Sequence, residues 1–202
     1  AGKSTLVKIL SGAYERDEGR VLLGGQEVEI HHPAHALEMG IVTIYQETNL
    51  SLSLDVAENI YMGRLPHRGL FVDWEELYRV ARELLNQMDL DFDPHTLVED
   101  LSPAQRQMVE IAKALSMDAR IIVLDEPTAS LTDKEVDVLF DLMQRVKQKG
   151  ISVVFITHRL QEVFDIADAV TVLRDGTWIS TDPIDEIVDE NILVNRMVGR
   201  EV

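Results

Sequence analysis

Three short runs constrain the fold more than anything else in the chain: "RIIVLDEP" at 120–127, "ISVVFITH" at 151–158 and "AVTVLRDG" at 169–176. Each is an almost unbroken apolar stretch of strand length. Helical patterns at 133–149 and 159–167 separate them. A strand hidden on both faces shows no polar alternation, and such strands alternating with helices signal a parallel sheet covered on both sides. "GIVTIYQE" at 40–47 adds another β-branched strand, ending near Tyr45. The expected fold class is α/β, a mainly parallel sheet flanked by helices.

The remaining segments fit around that sheet. "AGKSTLVKILSG" reads as a helix with Leu6, Ile9 and Leu10 on one face and Gly12 as its stop. "GRVLLGGQEV" reads as a hairpin turning at Gly24-Gly25. From Asp55 to Ser116 the pattern is helical, with helices near 55–62, 74–89 and 103–116 and a loop at Pro66, His67, Arg68 and Gly69. This 55–116 stretch reads as a helical subdomain inserted into the sheet. "TWISTDP" is a short strand, and 184–198 a closing helix.

Composition narrows the function. The 202 residues hold 19 Lys+Arg against 36 Asp+Glu, a formal charge of −17. Gripping nucleic acid needs a basic face, so no nucleic-acid partner is expected. The same charge opposes direct adhesion to an anionic membrane. There is no cysteine, which fits a reducing compartment. No apolar run approaches the roughly 18 residues of a membrane span. The chain opens without methionine, inside "AGKST". It reads as a piece of a longer protein, lacking a first strand and half of a phosphate loop and inactive alone.

"GKST", Gly2 to Thr5, matches the end of the pattern G-x-x-x-x-G-K-[ST]. Lys3 would reach the β- and γ-phosphates, Ser4 would ligate Mg²⁺, and Thr5 with the helix start would offer N–H groups. Asp125 and Glu126 emerge at the carboxyl end of their strand, where open α/β sheets bind ligands. Asp125 suits the outer shell of Mg²⁺, and Glu126 suits the activation of an attacking water. His158 follows another apolar strand and could bond a γ-phosphate or orient the water; a surface or capping histidine is the plainer reading. Gln46 could meet both Mg²⁺ and the water, or simply be solvated. "LSPAQ" at 101–105 supplies a complete capping box, Ser102 at N-cap, Pro103 at N1 and Gln105 at N3. A helix N-terminus with a hydroxyl is also an anion site. His31, His32 and His35 lack cysteine or acidic partners at ligand spacing, so a solvated loop before a short helix is expected.

The order of these motifs, "GKST", the glutamine, "LSPAQRQMVEIAKALS", "DEPTASLTDKEV" and the histidine, resembles the nucleotide-binding domain of ABC transporters, a P-loop NTPase fold, over nearly the whole chain. With "VTVLRDGTWIST" and "MVGREV" it resembles the first of two tandem cassettes in ribose, galactose and xylose importers. The resemblance implies ATP and Mg²⁺ bound by Gly2, Lys3, Ser4 and Thr5, with Ser4, Gln46 and Asp125 at the metal. It implies Glu126 as catalytic base, His158 as switch and Gln46 as the glutamine-loop residue. Ser102 and Gln105 become signature residues facing a partner cassette's nucleotide. It further implies a second cassette in cis after 202, membrane permease subunits, a periplasmic or extracellular sugar-binding protein acting indirectly, and a peripheral place on the cytoplasmic face of the membrane. The function implied is ATP hydrolysis that powers monosaccharide import; a soluble ABC ATPase acting on DNA or ribosomes is the alternative. Two departures stand out. LSPAQ replaces the usual LSGGQ, and Thr132 stands where many cassettes carry Asp.

Overall fold

A computed structural model describes residues 2–46 and 49–199. Ala1, Glu47 of the expected strand end, and the last three residues of "MVGREV" lie outside the described residues. The elements run α1 (Lys3–Leu10), β1 (Val21–Leu23), β2 (Gln26–Val28), α2 (Pro33–Glu38), β3 (Ile41–Ile44), α3 (Val56–Ile60), β4 (His67–Arg68), β5 (Phe71–Val72), α4 (Trp74–Gln87) and α5 (Pro103–Leu115). They continue β6 (Ile121–Asp125), α6 (Asp133–Gln148), β7 (Ser152–Ile156), α7 (Leu160–Ile166), β8 (Ala169–Arg174), β9 (Thr177–Pro183) and α8 (Glu190–Val198).

The apolar runs do build a parallel sheet, in the order β3-β6-β7. Ile44 pairs with Leu124, and Asp125 with Ile156. Val7 of α1 is buried against Ile41 and Val123 on one face. On the other, Met108, Ile111 and Ala112 of α5 and Leu139 and Met143 of α6 join Val42, Ile122 and Leu124 in the main core. That core continues into α3 and α4 through Val56, Ile60 and Leu85. The two methionines are thus packing residues, as their helical spacing implies.

Four expectations change. Among the described residues β8 pairs with β9, antiparallel, and not with the sheet, and a groove of about 690 Å³ separates it from β7. Leu6 is consequently 47% exposed, because the apolar flank of α1 lines that groove beside Val154 and Val170. The loop at 66–69 contains one arm of a small hairpin, His67↔Val72 and Arg68↔Phe71. The closing helix is broken: a 3₁₀ turn spans Ile184–Glu186, and Asp189 starts α8 afresh by accepting from Asn191 N–H at 2.9 Å. The Gly24-Gly25 hairpin forms as read, both glycines at positive φ.

Candidate nucleotide site

Parallel register sets the site. Because Ile44, Leu124 and Phe155 are neighbours across the sheet, the residues that follow them emerge at one edge. Gln46 leaves β3 there, Asp125 and Glu126 leave β6, and Thr157 and His158 leave β7. This is the carboxyl edge, where side chains escape the sheet's hydrogen-bond ladder and can face a ligand.

α1 delivers the cation to that edge. Its N-cap is Gly2, at φ +98°. A Cβ there would lie 3.0 Å from the Gly176 Cα in the β8–β9 turn, so backbone conformation and crowding both demand glycine. Lys3 donates from Nζ to the Thr157 carbonyl at 3.2 Å. Ser4 and Thr5 are exposed on the first turn, free to meet an anion at the helix's positive end.

The acids are under stress. Burial raises the Asp125 pKa first, the neighbouring Glu126 charge raises it further, and Lys3 pulls the other way. Removing a carboxylate from water penalises its charged form, so a cation supplied at Asp125 would relieve it. Glu126 sits at φ +49°, a left-handed conformation costing roughly 1–2 kcal/mol for an L-residue. Its N–H is held by the Ile156 carbonyl at 2.9 Å. This backbone aims the carboxylate at His158: Glu126 Oε1 and His158 Nδ1 are 3.3 Å apart. His158 is otherwise open, its side chain 62% exposed.

Ser102 with Gln105 on α5, and the histidines at 31, 32 and 35 around α2, stand apart from this edge. Ser102 and Gln105 close a capping box: Ser102 N–H donates to Gln105 Oε1 at 2.9 Å, and Gln105 N–H to Ser102 Oγ at 3.3 Å. Among the described residues no hydrogen bond or ion pair joins them to Lys3, Asp125, Glu126 or His158. Gln46 is exposed at the sheet edge. His32 caps α2 by accepting from His35 N–H at 3.1 Å, and no three-residue His/Cys/Asp/Glu cluster suited to a metal occurs among the described residues. The donors at the nucleotide edge, a hydroxyl on Ser4, an amide on Gln46 and a carboxylate on Asp125, are all oxygen, few and hard. They fit Mg²⁺, which takes few protein ligands and shares the rest with phosphate and water.

Sequence reasoning missed the supports of this site. Thr157, between Lys3 and His158, and Glu162 on α7 are joined by a 2.6 Å hydrogen bond. Asn59 is buried and bonds Ser51, Leu54 and Asp55, fixing the segment that follows Gln46. Glu110 of α5 accepts from Asn49 N–H at 2.7 Å. Asn59, Glu110 and Glu162 lie on helices and Thr157 in a loop, places where a polar side chain is ordinarily solvated, so the sequence pattern did not single them out.

Residues 1–129 match the family described as ABC transporter. The whole chain is 45% identical to the galactose/methyl galactoside import ATP-binding protein MglA of Escherichia coli (strain K12), and 44% identical to that of Salmonella typhimurium. In both cases it spans 40% of the relative's length. Among solved structures, it superposes on the ADP conformation of MJ1267, an ATP-binding cassette of an ABC transporter, with TM-score 0.82 and 27% identity, covering 98% of this chain and 84% of that one. A nucleotide-free ATP-binding cassette from an ABC transporter gives TM-score 0.82 and 26% identity, over 96% of this chain and 82% of that one. With Lys3, Asp125, Glu126 and His158 at one sheet edge and residues 1–129 matching the family, the chain belongs to the ABC transporter family.

Proposed function

We propose that this chain is part of an ATP-binding subunit that hydrolyses ATP to drive monosaccharide import through a membrane permease. The carrying observation is the convergence of Lys3, Asp125, Glu126 and His158 at one sheet edge, with the carboxylate and imidazole 3.3 Å apart. The import role follows the relatives, which are named for galactose and methyl galactoside import. No helix among the described residues is long and apolar enough to cross a membrane. By analogy with the import proteins it resembles, the chain is read as a peripheral subunit on the cytoplasmic face, with permease subunits as partners and a sugar-binding protein acting through them.

In this reading Lys3, Ser4, Thr5 and Gly2 hold the phosphates. Ser4, Gln46 and Asp125 would hold Mg²⁺, which would supply neutralisation of phosphate charge. Glu126 takes the proton of the attacking water, and His158 keeps carboxylate and water aligned. The groove gives the reading a structural complement. β7 has no strand partner on its outer edge among the described residues, and α1 begins at the groove with Lys3. A strand carrying the rest of the phosphate loop would lie between β7 and β8, pair with that edge and cover Leu6 and Val154. The 55–116 region, whose α3 and α5 pack together, serves as the helical arm that meets the permease, and a second cassette in cis supplies the other half of each nucleotide site.

Glu126→Gln in the full-length protein tests the central claim. An amide can orient water but cannot take its proton. ATP binding should persist while turnover falls roughly 10²–10⁴-fold. Retention of more than about a tenth of the rate would remove Glu126 as the base.

A further inference from the structure

The turn that presents His158 is held from below by a residue outside the nucleotide motifs. Glu162, in the first turn of α7, is buried, with its side chain only 6% exposed. Its Oε2 accepts a 2.6 Å hydrogen bond from Thr157 Oγ1. Its Oε1 lies 3.3 Å from Arg159 Nη1. Thr157 Oγ1 also accepts from Arg159 N–H at 2.9 Å. Both neighbours of the histidine are therefore tied to one carboxylate, while His158 itself is left free to face Glu126. The Thr157 carbonyl closes the circuit by accepting from Lys3.

We propose that Glu162 is a positioning residue for His158: it locks residues 157–159 into the turn that brings the imidazole to Glu126, and through Thr157 it links that turn to Lys3. The proposal rests on the hydrolytic role given to His158 above. A carboxylate buried at this depth is retained where its bonds fix a geometry, because an unpaired buried charge is costly. Two hydroxyl and guanidinium bonds meet that condition. The chemistry needs such a lock, since a displacement of about 1 Å can cost about 10²-fold in rate. His158, its side chain 62% exposed, has little packing of its own to prevent that displacement.

The test is a double-mutant cycle on ATP hydrolysis by the full-length protein. Glu162→Ala should lower kcat about 10-fold or more with little change in KM for ATP. Thr157→Val keeps the side chain's shape, loses the hydroxyl and should give a similar loss; it carries the test if Glu162→Ala does not fold. Glu162→Gln, whose amide oxygen still accepts from Thr157, should keep most of the rate. In a His158→Ala background neither Glu162→Ala nor Thr157→Val should reduce turnover further. An equal proportional loss in that background, or full activity of both single variants, overturns the proposal while leaving His158 in its role. A His158→Ala protein as active as the parent overturns that role first, and this inference with it.

Discussion

Two element ends in this molecule gather polar residues, and they treat them in opposite ways. At the N-terminus of α5, Ser102 and Gln105 satisfy each other's backbone in a closed box, which contributes about 1 kcal/mol to the helix. At the carboxyl edge of the sheet, Asp125 is pushed toward protonation by burial and by Glu126, and Glu126 holds a left-handed backbone. The first arrangement has what it needs. The second carries an electrostatic demand that, in the proposed nucleotide site, a cation would meet. Unmet electrostatic demand, rather than polarity as such, marks the reacting end.

The sharpest way to break this contrast is to damage each end in the proposed two-cassette protein. Lys3→Ala removes the cation aimed at phosphate charge and should lower ATPase activity by about 10²-fold or more. Ser102→Arg should leave most of the activity. Pro103 has no N–H to offer a phosphate, and the Gln105 N–H is already given to Ser102 Oγ, so in the proposed pairing of cassettes this helix start would offer a nucleotide only the Ser102 hydroxyl proton, the Ala104 N–H and the helix dipole. Steady-state hydrolysis by the two variants decides the matter. Equal damage would make LSPAQ a working signature and erase the asymmetry.

A smaller effect is expected between the two ends. The segment following Gln46 is bound to α3 by Asn59 and to α5 by Glu110, so it can carry displacement from one to the other. Its apolar residues are not equivalent. Leu50 is buried in the core, whereas Leu52 is 45% exposed. Tyr61 packs at the core's margin, with Arg64 stacked 5.7 Å from its ring centre. If the permease docks here, Leu52→Asp or Tyr61→Ala should reduce sugar uptake in vesicles while ATP hydrolysis persists. Proportional loss of both activities, or loss of neither, would place the docking surface elsewhere.

Much of this was legible in the chain. The strands were readable because β3, β6 and β7 are almost unbroken apolar runs, although β3 and β6 are largely buried while Val154 of β7 is 40% exposed. The acids and histidine were findable because each stands at or just past the end of such a strand. The α5 cap was written in Ser-Pro-x-Gln. What stayed illegible was partnership. "AVTVLRDG" has the composition of a sheet strand, but composition does not name a neighbour, and β8 turned to β9 instead. Leu6 looked like core because a periodic pattern reports an apolar face, not whether anything covers it. Glu162 and Glu110 were hidden because a carboxylate on a helix is usually solvated, and only the fold shows which ones are enclosed.

Glu110 also gives the smallest test, because it is a buried carboxylate on α5. Burial raises its pKa, while the Asn49 N–H and the Lys113 charge offset only part of that penalty. In the unfolded chain the group titrates in the ordinary glutamate range, near about 4.3. Between that value and its raised folded value, the folded state binds more protons than the unfolded state. Stability contributed by this residue therefore falls as pH rises through the window, and the deficit persists at neutral pH. Glu110→Gln keeps an oxygen for the Asn49 N–H and removes the charge. The variant should unfold at a higher temperature than the parent at pH 7, with each kcal/mol regained worth about 2–4 °C. The gain should shrink as pH is lowered toward the glutamate range. Thermal melts of both proteins across that range test it, and a variant less stable than the parent at pH 7 would show that the buried charge is supporting α5 rather than straining it.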